Sequence, residues 1–136
     1  MVCDENLWTG VPGVYAAGDV ANATVTVNEG QTATNTGTFS DLDGNETVSL
    51  VVASGPGGVS KNDANGTWSW SYASTDGPDE SQTVTITATD DDGASSSTTF
   101  ALVVNNVAPT ATFSATALVN EGGSSSVSLS SPVDPS

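Results

Sequence analysis

Residues 82–105 read QTVTITATDDDGASSSTTFALVVN. Val84, Ile86 and Ala88 alternate with four threonines, which is the period of two that a strand with one buried face requires. Beyond Asp90-Asp91-Asp92-Gly93 the pattern resumes, and Ser95 to Asn105 carries Phe100, Leu102 and Val104 at alternate positions. The stretch therefore predicts two strands joined by an acidic turn.

The same pattern extends upstream. Thr67 to Tyr72 places Trp68, Trp70 and Tyr72 on one face and Thr67, Ser69 and Ser71 on the other, and Asn62-Asp63-Ala64-Asn65-Gly66 joins it to Val59–Lys61 as a hairpin. An Asn-Gly step supplies positive φ at little cost. Val48 to Ala53 reads as a short apolar strand followed by a Gly-Pro-Gly-Gly loop at 55–58, and Gln31 to Phe39 and Val25–Val27 flank the turn Asn28-Glu29-Gly30. That makes seven strands with no helical period between them. Short strands at this spacing predict an all-β fold, an Ig-like seven-stranded antiparallel β-sandwich. Its expected core is Val25, Val27, Phe39, Leu50, Val52, Trp68, Trp70, Val84, Ile86, Phe100, Leu102 and Val104. The tryptophans are expected inside, because Leu, Ile, Val and Phe make up only about a fifth of the chain and large aromatic area must compensate. A carbohydrate-stacking platform is the alternative reading of that pair.

Composition removes whole classes of function. The 136 residues hold 16 Asp and Glu against one Lys or Arg, a net charge of -15, so nucleic acid and anionic lipid are excluded as partners on electrostatic grounds. No apolar run approaches a membrane span. With no His, Ser-His-Asp and Cys-His machinery cannot be built, and the chain is expected not to be an enzyme. Cys3 is the only cysteine, so there is no intramolecular disulfide. MVCDENLW has acids where a signal peptide needs basic residues. Either the chain is not exported as it stands or it is a piece of something longer.

Val27-Asn28-Glu29-Gly30 recurs as Val119-Asn120-Glu121-Gly122, and Ala23-Thr24 recurs as Ala115-Thr116. The offset equals one sandwich. Three parts follow: residues 1–20 as an orphan tail, 21–107 as a full repeat, and 108–136 as the first two strands of a truncated second repeat. Two strands cannot bury a core alone, so the last part is expected to be mobile or to borrow an edge.

Taken in order, GTFSDLDGNETVSL (37–50), NGTWSWSY (65–72) and SQTVTITATDDDGASSSTTFALVVNNVAPT (81–110) resemble the tandem bacterial sandwich repeats of the VCBS, cadherin-like and PKD type. That resemblance implies an extracellular or cell-surface structural and adhesive repeat, with neighbouring repeats as partners and cell-surface glycans or proteins as further ones. The alternative is a carbohydrate- or protein-binding accessory module of a secreted enzyme. Residues 2–21, VCDENLWTGVPGVYAAGDVA, resemble the C-terminal flavin-binding segment of FAD-dependent pyridine-nucleotide reductases of the ferredoxin and thioredoxin type, which implies that Gly18 and Asp19 would lie against FAD. No GxGxxG follows a strand, and no βαβ pattern or CxxC is present, so the expectation is against FAD and against a reductase fragment.

The remaining chemistry is carboxylate clustering. Successive loops of a sandwich alternate between two poles, so Asp41, Asp43, Asp63, Asp90 and Asp92 are expected at one. Glu29, the loop Asp76-Gly77-Pro78-Asp79-Glu80 and Asn105-Asn106 are expected at the other. Oxygen ligands without His or paired Cys favour Ca²⁺ and exclude zinc. The cadherin resemblance implies that Glu29, Asp79 or Glu80, and Asn105 would hold calcium from one repeat, while Asp41, Asp43 and Asp90 would hold it in the next. The expected metal ligands are Asp41, Asp43, Asp90, Asp92, Glu29 and Asn105.

Overall fold

A computed structural model describes residues 14–15, 20–41, 48–116 and 119–135. Its strands are β1 (Val14–Tyr15), β2 (Thr24–Asn28), β3 (Thr32–Thr38), β4 (Ser40–Asp41), β5 (Ser49–Ser54), β6 (Gly58–Asn62), β7 (Thr67–Ala73), β8 (Gln82–Thr89), β9 (Ser95–Asn105), β10 (Thr110–Ala115) and β11 (Val127–Val133). All seven expected strands are present. They form two layers, a four-stranded sheet ordered β2-β9-β8-β5 and a three-stranded sheet ordered β3-β7-β6. The architecture is the Ig-like β-sandwich that the alternation predicts.

One pair departs from the antiparallel expectation. β2 runs parallel to β9, with Thr24 opposite Ala101 and Asn28 opposite Asn105. The cause lies in the residues before it. Val14 and Tyr15 pair antiparallel with Asp41 and Ser40, Val20 bridges Gly37, and the Ala21 N–H donates to the Thr36 carbonyl at 2.8 Å. Residues 20–21 therefore lie along β3, and the chain then crosses to the opposite sheet as β2. Asn35 holds the crossing point, since its Oδ1 accepts the Asn22 N–H at 3.1 Å and its Nδ2 donates to the Asn22 carbonyl at 2.8 Å. Buried Asn35 lies on a face otherwise lined by Ala33 and Gly37, and these bonds meet the requirement that a buried amide be satisfied.

Between the sheets lie Val25, Ala33, Phe39, Val48, Trp68, Trp70, Val84, Ile86, Ala88, Phe100, Leu102 and Val104, with Val27, Leu50, Val52 and Tyr72 partly buried against them. Ala33, Val48 and Ala88 are additions to the expected core. Trp70 meets Phe100 of the facing sheet edge-on at 4.9 Å, and its Nε1 donates to the Pro56 carbonyl at 2.9 Å. Both tryptophans are buried, which removes them as a sugar-stacking platform. Trp68 fits because Gly37 stands opposite it: a Cβ on Gly37 would lie 2.3 Å from the indole Cζ2.

β10 and β11 form a separate two-stranded sheet. Replacing Gly37 with Ala forces an overlap that only displacement of the Trp68 ring or of β3 relieves, so Gly37→Ala should cost about 2–3 kcal/mol. A urea melt followed by tryptophan fluorescence measures this, and an unchanged midpoint would show that the indole is not wedged beneath β3.

Candidate functional site

Strand order assigns every turn to a pole. β3 ends and β5 begins at one end, where Phe39 N–H donates to the Gly66 carbonyl and Ser49 pairs with Thr89. The turns 63–66 and 90–94 lie there too. This is the leading pole, since Val14 lies opposite Asp41. The opposite, exit pole gathers 29–31, 55–57, 74–81 and the residues after Asn105.

The exit pole is built around two carboxylates. Glu29, 2% exposed, accepts the Gly77 N–H on Oε2 at 2.9 Å and the Val107 N–H on Oε1 at 2.8 Å. Its own N–H donates to the Asn105 carbonyl at 2.9 Å. One side chain thus fastens the β2–β3 turn, the loop before β8 and the segment leaving β9, through charge-assisted bonds about twice as strong as neutral ones. Gly77 is required at its place because a Cβ would lie 2.6 Å from the Asn105 carbonyl carbon. Buried Ser74 adds bonds from its Oγ to the carbonyls of Gln31 and Asn28 at 2.7 and 3.2 Å.

Glu80 closes the neighbouring loop. Its Oε1 accepts the Tyr72 hydroxyl at 2.6 Å and the Thr75 hydroxyl at 2.8 Å, while Oε2 accepts the N–H groups of Thr75 and Asp76 at 2.8 and 3.1 Å. The Tyr72 hydroxyl first, and then the Thr75 N–H, hold this carboxyl down to about 2 from its ordinary 4.5. The same bond, aided by partial burial, raises the Tyr72 phenol above its usual value.

At the leading pole Asp90 Oδ1 accepts the Ala94 N–H at 2.7 Å and closes the β8–β9 turn. Asp63 pairs with Lys61 at 2.7 Å. Asp41 lies in β4, and Asp92 is exposed in the turn. Asp43, Gly18 and Asp19 lie outside the described residues. Among the described residues no three Asp, Glu or Cys side chains come together as a metal-holding group. Of the six expected ligands, Glu29 and Asn105 are brought together, but through the Glu29 N–H and Asn105 carbonyl. The groups that Glu29 and Glu80 accept from are backbone N–H and hydroxyl groups, so these two carboxylates are already engaged by the protein's own donors.

Sequence reasoning missed the roles of Gly77 and Asn35. A signal for Asn35 existed, since an amide at an inward position of an alternating strand has to find a partner. The outer face of the three-stranded sheet carries a shallow groove of about 570 Å³ whose lining includes Thr36, Thr38, Ser60, Asn62, Thr67 and Ser69; no carboxylate or imidazole stands among its lining residues to activate those hydroxyls.

Two outcomes test the exit pole. Glu29→Ala leaves the Gly77 and Val107 N–H groups without their acceptor and should cost about 2–4 kcal/mol, with both amides exchanging faster. Because the Glu80 carboxyl sits lower in the folded chain than in the unfolded one, its stabilisation is complete above pH 4.5 and is lost as pH falls towards 2. Tyr72→Phe should shrink the fall in urea midpoint across that window, and an equal fall in both proteins would contradict the Tyr72–Glu80 coupling.

A family model described as a bacterial Ig domain matches residues 15–103. That is more than half of the chain, and the chain belongs to this family. Its match begins at Tyr15, inside the reductase-like stretch 2–21, consistent with the pairing of Val14 and Tyr15 against β4. Among solved structures, the BIgI domain of beta protein from S. agalactiae bound to CEACAM1 is similar at 25% identity, with a TM-score of 0.48, covering 64% of this chain and 93% of that one. No curated protein matches the chain.

Proposed function

We propose that this chain is a non-catalytic, extracellular structural and adhesive module of the VCBS, cadherin-like or PKD type. In this reading residues 21–107 are one spacer unit and 108–136 begin the next. One observation carries it: the chain enters the sandwich at the leading pole, beside Asp41, and leaves at the exit pole through Val107, whose N–H is pinned by buried Glu29. A unit with its ends at opposite poles adds its whole length to an array. At about 3.3 Å per residue, the eleven residues of β9 give about 35 Å per unit. The Val-Asn-Glu-Gly motif recurs at 119–122, so the same clamp is available to the following unit.

The parallel β2–β9 pair suits a load-bearing role. Five residues of β2 lie along β9 from Thr24–Ala101 to Asn28–Asn105, and tension between residue 20 and residue 107 shears these bonds together instead of unzipping them in turn. Pulling the full chain from its ends in single-molecule force spectroscopy should give one high-force rupture for the body. Stretching without a resolvable peak would count against the spacer reading.

The accessory-module alternative loses its main feature, since Trp68 and Trp70 are inside and Tyr72 is tied to Glu80. We propose calcium only at the leading pole, with Asp41, Asp43, Asp90 and Asp92 as candidate ligands, on the strength of acidic turns gathered at one end of a chain of charge -15. Free calcium at ten times its dissociation constant would add about 1.4 kcal/mol, several degrees in Tm. Melts at constant ionic strength, calcium replaced by sodium, test this. Loss of the shift in Asp43→Asn is expected, and no shift beyond matched sodium would reduce the acids to solvated turn residues.

A further inference from the structure

The two sheets of the sandwich end in β2, β5, β3 and β6. An end strand carries unpaired N–H and C=O groups that invite another strand, and proteins guard such edges with charge, Pro, bulges or a covering segment. β3 is covered, since Val20 bridges Gly37 and the Ala21 N–H donates to the Thr36 carbonyl. β6 carries Lys61, the only Lys or Arg of the chain, and β2 exposes no large apolar side chain. β5 differs from all three. Its sequence, Ser-Leu-Val-Val-Ala-Ser, has neither charge nor Pro, and among the described residues its only pairing partner is β8. The register shift comes after Val52, so residues 49–52 stay regular.

Val51 is 52% exposed, the one large apolar side chain of the sandwich strands that stands in solvent among the described residues. It lies opposite Thr87, whose hydroxyl is 2.7 Å from that of Ser97 on the next strand. Those two hydroxyls satisfy each other, and Val51 is left at the rim beside the edge. The leading-pole end of this edge is acidic. Ser49 pairs with Thr89, and Asp90, Asp91 and Asp92 follow directly, the last two exposed. A second copy of a chain of charge -15 would bring like charge to this edge, so pairing of β5 with itself is opposed. A cationic strand is drawn to it.

We propose that β5 is a docking edge for an extended segment of a partner protein, added antiparallel as a fifth strand to the sheet β2-β9-β8-β5. Antiparallel pairing is the more stable of the two directions, and β5 runs from the leading pole to the exit pole, so the partner strand ends at the leading pole. Its chemistry follows. An apolar, β-branched residue lies against Val51, and Lys or Arg in its last positions lies beside Asp91 and Asp92. Main-chain bonds supply the affinity and these two features the selection. The site does not depend on the spacer reading, which rests on the two poles.

The probe is acetyl-Thr-Val-Thr-Val-Thr-Lys-Lys-amide, added to the full chain in calcium-free buffer, with amide exchange as the readout. The amides of residues 49–52 that point away from β8 should slow by at least about 10-fold. The same peptide with every backbone amide methylated keeps its charge but cannot pair, and should leave them unchanged. Val51→Lys puts a guard on the edge and should abolish the slowing without moving the urea midpoint read by tryptophan fluorescence. Val51→Thr, which keeps the branched shape, should weaken it several-fold. Absence of slowing overturns the proposal, and so does equal slowing by the methylated peptide, which charge attraction alone would explain. Protection at 127–133 in place of 49–52 overturns it as well, making the apolar hairpin the acceptor. Protection of 49–52 that rises with the concentration of the chain alone has the same force, since a second copy would then be the occupant.

Discussion

The burial of two indoles between the sheets is the constraint from which the rest of this structure follows. A chain with so few leucines and isoleucines gains too little from aliphatic burial to offset the entropy of ordering two sheets. Trp68 and Trp70 supply the missing area, and the positions around them are adjusted to admit them. Gly37 gives up its side chain to the Trp68 ring, Pro56 offers a carbonyl to the Trp70 N–H, and Phe100 meets the second indole from the opposite sheet. The Trp68 N–H is buried without an acceptor among the described residues, a cost of about 1–3 kcal/mol accepted where shape outweighs polarity.

The path of the N-terminal segment follows from the same packing. Residues 20–22 run on the outside edge of β3, where Gly37 and Asn35 face inward, and the Asn22–Asn35 bonds mark the point at which the chain leaves that edge. Having crossed, β2 runs the same way as β9 and closes the four-stranded sheet. Its end delivers Glu29 to the exit pole, where a buried carboxylate collects N–H groups from two other segments. The joint is thus made of the same material as the fold, backbone amides on a fixed charge. It ties the way out of β9 to the β2–β3 turn and to the loop before β8.

The carboxylates divide by environment. Glu29 and Glu80 at the exit pole serve the protein's own donors, and their effect is rigidity. At the leading pole Asp90 and Asp63 each have a local partner. Almost all of the negative charge lies on residues 1–107, and the β10–β11 hairpin that follows is nearly neutral and apolar on one face. The hairpin's apolar side chains Phe113, Val127 and Leu129 stand exposed.

Alternation alone determined the strands, the sandwich and nine of the side chains that are fully buried, because a period of two has only one way to hide an apolar face. Leu50, Val52 and Val27 were legible too, although they sit nearer the edges of the layer. The order of turns placed Glu29 at the exit. The sequence could not decide what Glu29 would do there. A carboxylate near a linker reads equally as a cation ligand and as an anchor for amides, and only the approach of Gly77 and Val107 to within hydrogen-bonding distance distinguishes them. Nor could it show that β2 runs parallel to β9, since side-chain alternation is identical for both directions. That was settled by the crossing at Asn22 and Asn35, a contact between residues thirteen apart.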